Sequence, residues 1–258
     1  MSDLLDAAWS RIVGQPPLLV ALDFDGTLAP LQDDPEQSRM SEAAAGALAT
    51  LVTRPDRVRV ALVSGRALGD LYRLAAPPVG TVLIGSHGAE RALVAEHGLD
   101  RQDIRLTPEQ ADTLDALGSR MQSVARGRDG VWVETKPAAV VVHTRLAEES
   151  VRAQAEAEAL TIGHELGSAV LHGKNVVEVS VLTADKGSAV TSLRMELGAG
   201  AVLYAGDDVT DEHAFAALGP EDIGVKVGEG RTVAAHRVAG TDAMTALLVA
   251  LTDRVSRE

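Results

Sequence analysis

Short, largely apolar runs alternate along this chain with segments whose apolar residues recur at helical spacing. Leu18 to Leu22, closed by Asp23, is the first run, and Val58 to Val63, Thr81 to Ile84 and Ala201 to Ala205 repeat it. Runs of this length suit strands covered on both faces of a parallel sheet. Between them lie Ser41 to Val52, Ala67 to Leu74, Lys186 to Leu197 and Asp211 to Leu218, rich in Ala and Leu at helical spacing. Strand and helix therefore alternate, which predicts an α/β fold with a doubly wound, Rossmann-like parallel sheet.

The middle of the chain follows another rhythm. A polar helix over Glu109 to Arg126 precedes two strands, Val131 to Thr135 and Val140 to Thr144, joined through Lys136-Pro137. A second helix over Ala147 to Leu160 precedes two more strands, Ala169 to His172 and Val176 to Ser180. This is an α+β insert of about seventy residues, within the usual size of a small domain. The expected division is a core of residues 1–107 and 181–258 with an inserted domain of residues 108–180.

Charge and composition narrow the function. The 24 Lys and Arg stand against 37 Asp and Glu, a net charge of −13. That field repels phosphate backbones and anionic lipid, so neither nucleic acid nor a membrane surface is an expected partner. Two each of Trp, Tyr and Phe leave little material for stacking bases. Without cysteine there is no disulfide, thiolate metal site or Cys nucleophile, which fits a reducing compartment such as the cytoplasm. The N-terminal Met1 to Asp6 is acidic where a signal peptide needs a basic start and an apolar run, so no export is expected.

Four segments carry candidate chemistry, each at the predicted end of a strand or start of a helix. In Asp23-Phe24-Asp25-Gly26-Thr27-Leu28 the two carboxylates lie two residues apart in extended chain and so face one way, and Gly26 permits a sharp turn. Ligands of open α/β sheets bind outside the carboxyl ends of the strands, where this loop sits. An Asp is ionised at neutral pH and can attack phosphorus directly, while a second serves as acid and then base. Ser64-Gly65-Arg66 offers a hydroxyl and backbone amides to phosphate oxygens, although the same residues also make an ordinary helix start. Lys186, after Asp185, can neutralise a transferring phosphoryl group, although a lone Lys there is commonly just solvated. Gly206-Asp207-Asp208-Val209-Thr210-Asp211-Glu212 packs four acids into six residues, a repulsion that a cation would offset.

In this order the four segments resemble the haloacid dehalogenase superfamily of phosphatases, with an inserted α+β cap between the Ser64 and Lys186 segments. The resemblance implies that Asp23 is the nucleophile, Asp25 the acid and base, and Ser64 and Lys186 the phosphate holders. It also implies Mg²⁺ between the Asp23 carboxylate, the Asp25 backbone carbonyl and Asp207, with Asp208 or Asp211 in or near its shell. Finer features are Gly85-Ser86-His87-Gly88-Ala89-Glu90, Val133 to Lys136, Val141 to Arg145, Gly173 to Val179 and the run Gly206 to Phe215. Together these resemble the trehalose-6-phosphate phosphatase family, over nearly the full chain. Sugar contacts in that family would fall here on Glu134, Lys136 and Glu178, with Arg145, His87 and Arg66 as further substrate contacts. The implied partner is a small sugar phosphate. A phosphatase of sucrose phosphate, or of a glycosyl or mannosyl phosphoglycerate, would share the core and cap type. A silent sensor on the same fold should have lost Asp23 or Asp25, and both are present.

One stretch departs from the family's pattern. Ser180-Val181-Leu182-Thr183-Ala184-Asp185 stands where many members carry a basic segment with Pro and Gly before the Lys. Other signals carry nothing: His164-Glu165 lacks the second His of a metalloprotease helix, Gly173-Lys174 lacks the upstream Gly of a P-loop, and the seven His are scattered.

Overall fold

The computed structural model describes residue 9 and residues 11–102, 106–166, 169–173, 175–182 and 185–257. The chain divides into two units, Met1–Gln102 with Asp185–Glu258, and Asp103–Ala184.

The first unit is built on an 8-stranded sheet. Its strands are β1 (Leu18–Leu22), β2 (Val58–Val63), β3 (Val82–Gly85), β4 (Glu90–Ala95), β5 (Gly98–Arg101), β10 (Ala201–Gly206), β11 (Ile223–Val227) and β12 (His236–Val238). The order is β12-β11-β10-β1-β2-β3-β4-β5, parallel from β12 to β3 and antiparallel beyond it. Double winding is visible residue by residue in β1. Leu18, Val20 and Leu22 join one core with Leu48 and Leu51 of α1 (Glu42–Leu51), Leu71 of α2 (Leu68–Ala75) and Leu248 of the C-terminal helix Thr241–Arg257. Leu19 and Ala21 join the opposite core, with Val190 and Leu193 of the helix Lys186–Leu197 and Phe215 of Asp211–Ala216. A strand so covered must be apolar at every position, and burial of each Leu contributes about 1.5–3 kcal/mol.

The four runs read from sequence are β1, β2, β3 and β10. The sheet extends past them on both sides, through the hairpin of β4 and β5 and through β11 and β12. Charges interrupt the outer strands: Glu90 and Arg91 in β4, Asp100 and Arg101 in β5, Lys226 in β11. An apolar-run criterion passes over them.

The second unit holds α3 (Pro108–Ala125), β6 (Trp132–Lys136), β7 (Ala139–His143), α4 (Glu149–Leu166), β8 (Ala169–Gly173) and β9 (Val176–Ser180). Thr107 and Gln110 form a capping box at the start of α3, with Pro108 in the first helical turn, which satisfies donors that the helix itself leaves free. The strands make an antiparallel sheet in the order β6-β7-β9-β8. Val140, Val142, Val177 and Val179 pack on Leu117, Met121 and Val124 of α3 and Ala155, Ala159 and Ile162 of α4. The helices thus cover one sheet face. Of the departing segment before Lys186, Thr183 and Ala184 lie outside the described residues. In the continuing chain-order numbering, Lys186–Leu197 is α5, Asp211–Ala216 is α6 and Thr241–Arg257 is α7.

Candidate active site

The parallel strands β1, β2 and β10 end side by side, and the chemical groups follow directly from those ends. Asp23 comes straight after β1, donates its N–H to the carbonyl of Ala205 (2.9 Å) and is buried. The loop then closes tightly, with the N–H groups of Leu28 and Ala29 on the Phe24 carbonyl and that of Gly26 on the Ala29 carbonyl. Phe24 turns into the core, and Asp23 and Asp25 both line a cavity of about 470 Å³. Gly26 has φ +77°, and a Cβ there would lie 2.0 Å from Asp207 Oδ2. The turn thus needs glycine for its backbone and because Asp207 fills the space beside it.

Lys186 is the first residue of α5, set there by a capping box between Asp185 and Ser188. Its Nζ donates to Asp23 Oδ1 (2.7 Å) and Asp211 Oδ1 (2.8 Å), and all three groups are buried. Tyr204 of β10 donates its hydroxyl to the same Asp211 oxygen (2.6 Å), and the Asp208 N–H donates to Asp211 Oδ2 (2.8 Å). One ammonium here serves two buried carboxylates, with a third, Asp207, close by. Burial pushes Asp23 up to about 7; Lys186 opposes the rise and Asp211 adds to it. Burial and Asp211 likewise push Asp207 up to about 6, against the pull of Lys226. Lys186 itself is held above its ordinary value: burial acts against its charge, but the two carboxylates win.

Asp23, Asp207 and Asp211 can each present a carboxylate oxygen within 4.8 Å of the others, the one such group among the described residues. Hard oxygen donors short of positive charge are what a divalent ion such as Mg²⁺ takes. Asp211 accepts three hydrogen bonds on its two oxygens and Asp23 accepts one from Lys186, and carboxylate oxygens keep further lone pairs, so all three acids can offer an oxygen to an ion. Asp208 lines the same cavity, with its Oδ1 accepting from the Val209 N–H (2.7 Å).

Ser64 follows β2, is buried and accepts the Arg66 N–H on its hydroxyl (3.2 Å). Arg66 lines the cavity, but its guanidinium is engaged by Asp25, Nε to Oδ2 at 2.6 Å and Nη2 to Oδ1 at 2.7 Å. His87 reaches the same cavity from a turn in which Ser86 and His87 both have positive φ, 48° and 57°. Such residues each cost about 1–3 kcal/mol and persist where the surroundings hold them. Glu90 supplies part of that hold, accepting the Ser86 hydroxyl (2.9 Å) and the Leu68 N–H (3.0 Å) on one oxygen.

The remaining expected contacts, Glu134, Lys136, Arg145 and Glu178, lie in the second unit. Register puts Glu134 of β6 and Glu178 of β9 opposite the same residue, Val141 of β7, and Lys136 two residues along β6 from Glu134, so all three share the face away from α3 and α4. Lys136 donates to Glu178 (2.8 Å), and His143 Nε2 lies 2.9 Å from Glu134. His143 stacks on Trp132 at 4.7 Å, and the Arg145 guanidinium sits 5.6 Å from the same indole. Two groups escaped the sequence reading, Tyr204 and Lys226. Lys226 is buried in β11 and donates to the Asp207 carbonyl. The one signal for it was a Lys inside an otherwise apolar run, Ile223-Gly224-Val225-Lys226-Val227.

No helix among the described residues is long and apolar enough to cross a membrane. The trehalose-phosphatase family matches residues 21–247. An uncharacterized glycosyl hydrolase of Mycobacterium tuberculosis is 36% identical over 233 residues, 85% of this chain and 17% of that protein, so this chain spans a small part of that relative's length. A trehalose-6-phosphate phosphatase-related protein of Thermoplasma acidophilum is 31% identical over 86% of this chain and 91% of its own. The structure of Aspergillus fumigatus trehalose-6-phosphate phosphatase is similar in fold, with a TM-score of 0.71 at 22% identity over 96% of this chain and 97% of that one. With strand-end acids, buried Lys and inserted sheet domain all within the matched span, the chain belongs to the trehalose-phosphatase family.

Proposed function

We propose that this chain hydrolyses trehalose-6-phosphate to trehalose and phosphate through a phosphoaspartate on Asp23, with Mg²⁺ as its ion. The observation that carries the reading is the buried trio of Asp23, Lys186 and Asp211 beside Asp207, a site short of positive charge and facing a cavity. Asp23 is held by Lys186 with its free oxygen available to phosphorus. Ser64 and Lys186 take the phosphoryl oxygens, and Asp25 gives a proton to the leaving sugar oxygen and later takes one from water. Asp23, Asp207 and the Asp25 carbonyl would hold the ion, which lowers the repulsion between an anionic nucleophile and an anionic ester.

The inserted domain, residues 108–180 in this reading, supplies sugar recognition. Glu134, Lys136 and Glu178 are suited to hydrogen-bond a ligand rich in hydroxyls, with Arg145 and His87 as further contacts. The partner is a small sugar phosphate in the cytoplasm, and the acidic surface disfavours nucleic acid. The test is phosphate release at fixed Mg²⁺ from trehalose-6-phosphate, sucrose-6-phosphate and glucosyl- and mannosyl-phosphoglycerate, for the parent and Asp23→Asn. Preference for the trehalose ester, abolished in a folded Asp23→Asn, is expected. A preference for another ester would move the substrate, and activity surviving in Asp23→Asn would remove the nucleophile.

A further inference from the structure

We infer that Arg66 is a positioning residue that works through Asp25, setting the carboxyl that exchanges protons with the leaving oxygen and with water, instead of binding phosphate. The inference rests on the phosphatase reading above. Arg66 grips Asp25 with two parallel bonds, and its Nη2 also donates to the Pro35 carbonyl (2.9 Å) and the Ser38 hydroxyl (3.1 Å). Ser38 is buried. Pro35 begins a single turn of helix whose start is fixed by Asp34, which accepts the Glu36 N–H (3.0 Å). The guanidinium is therefore tied to a capped turn and to buried Ser38 on one side and aims its fork at Asp25 on the other.

The pair is part-buried, with Arg66 15% and Asp25 28% exposed, and both of its bonds are short. What a bidentate pair fixes is geometry, since the planar fork defines both carboxylate oxygens at once.

The chemistry needs that placement in both halves. As Asp23 bonds to phosphorus, the bond from phosphorus to the leaving oxygen breaks, its electron pair stays on that oxygen, and the Asp25 proton completes the alcohol. Asp25 is then a carboxylate, the form that Arg66 grips. Water next bonds to phosphorus while the bond to Asp23 breaks, and its proton passes to Asp25.

A phosphate contact and a positioning contact differ in how their loss depends on the leaving group. An arginine that holds phosphate matters equally for every ester, whereas one that places the proton donor matters most where the departing oxygen is basic. The experiment measures kcat/KM for Arg66→Gln and Arg66→Lys on aryl phosphates graded from 4-nitrophenyl to phenyl, at saturating Mg²⁺. Losses of about tenfold or less at 4-nitrophenyl, widening to about 10² or more at phenyl, are expected, because general acid catalysis contributes about 10²–10⁴-fold. Lys should not restore the slope, having charge without the fork. Parallel losses at every leaving group would overturn the inference and leave the phosphatase reading standing. A parent inert on every phosphate ester would overturn both. Should the parent act only on sugar phosphates, a crystal structure of Arg66→Gln decides: an Asp25 carboxylate displaced from its present position supports the role, and an unmoved one refutes it. Failure of both variants to fold would assign Arg66 to the fold and overturn the inference.

Discussion

Replacing Gly26 by Ala tests whether the Asp23 loop and the acidic loop after β10 form one fitted unit. The new Cβ would fall 2.0 Å from Asp207 Oδ2 and 2.3 Å from its Cγ, against the 3.4 Å or more of ordinary contact. The Asp207 carboxylate must therefore retreat by more than about an ångström, a misplacement that can cost about 10²-fold in rate. The backbone adds a second cost. At φ +77° an L side chain is disfavoured by about 1–2 kcal/mol. For a chain of this size each kcal/mol lowers Tm by about 2–4 °C, so a fall of about 2–8 °C is expected. The prediction is a small loss of stability with a large loss of function: kcat/KM for trehalose-6-phosphate down by about 10² or more, and Mg²⁺ bound about tenfold more weakly. Calorimetric titration with Mg²⁺, phosphate release and thermal melting on the same preparation separate the three effects. Parental Mg²⁺ affinity together with kcat/KM within threefold of the parent would refute the fitted arrangement.

Three further outcomes are expected. Asp23 and Asp207, raised from 3.8 to about 7 and about 6, retain protons in the folded state that the unfolded chain has released, so the metal-free protein loses stability as pH rises from about 4 to 7. Mg²⁺ at about 100 times its Kd should therefore raise Tm by about 5–10 °C at pH 7.5, from about 2.7 kcal/mol, and far less at pH 5, where protons compete; equal shifts at both pH values would contradict this. Glu178→Ala and Glu134→Ala should each lower kcat/KM for trehalose-6-phosphate by about 10² or more, about 3 kcal/mol, while changing 4-nitrophenyl phosphate hydrolysis only a few fold; equal losses on both would make these residues structural. Tyr204→Phe removes one of three donors from buried Asp211 and should cost about 1–3 kcal/mol in urea unfolding, and an unchanged midpoint would show that the hydroxyl contributes nothing.

The sequence by itself determined the parts of this protein in which each residue's neighbours along the chain decide its state. The runs at Leu18, Val58, Val82 and Ala201 had to be central strands, because a strand covered on both faces needs apolar residues at nearly every position, the exposed Arg59 of β2 being the exception. The loops of the candidate site could be read for a related reason: acids, a hydroxyl and a lysine stand immediately after such runs or at a helix start, and they line a cavity there. Tertiary structure decided what depends on partners distant in sequence. Arg66 stood beside Ser64 as a substrate contact, and folding closes its guanidinium on Asp25, 41 residues away. Asp211 stood in or near the metal shell, and folding also sets Lys186, Tyr204 and the Asp208 amide on its oxygens. Lys226 is a break in an apolar strand until β11 lies beside β10 and brings its ammonium to the Asp207 carbonyl. In each case the chain specifies a charge locally, but a buried charge takes its role from the opposite charge or carbonyl that folding sets against it.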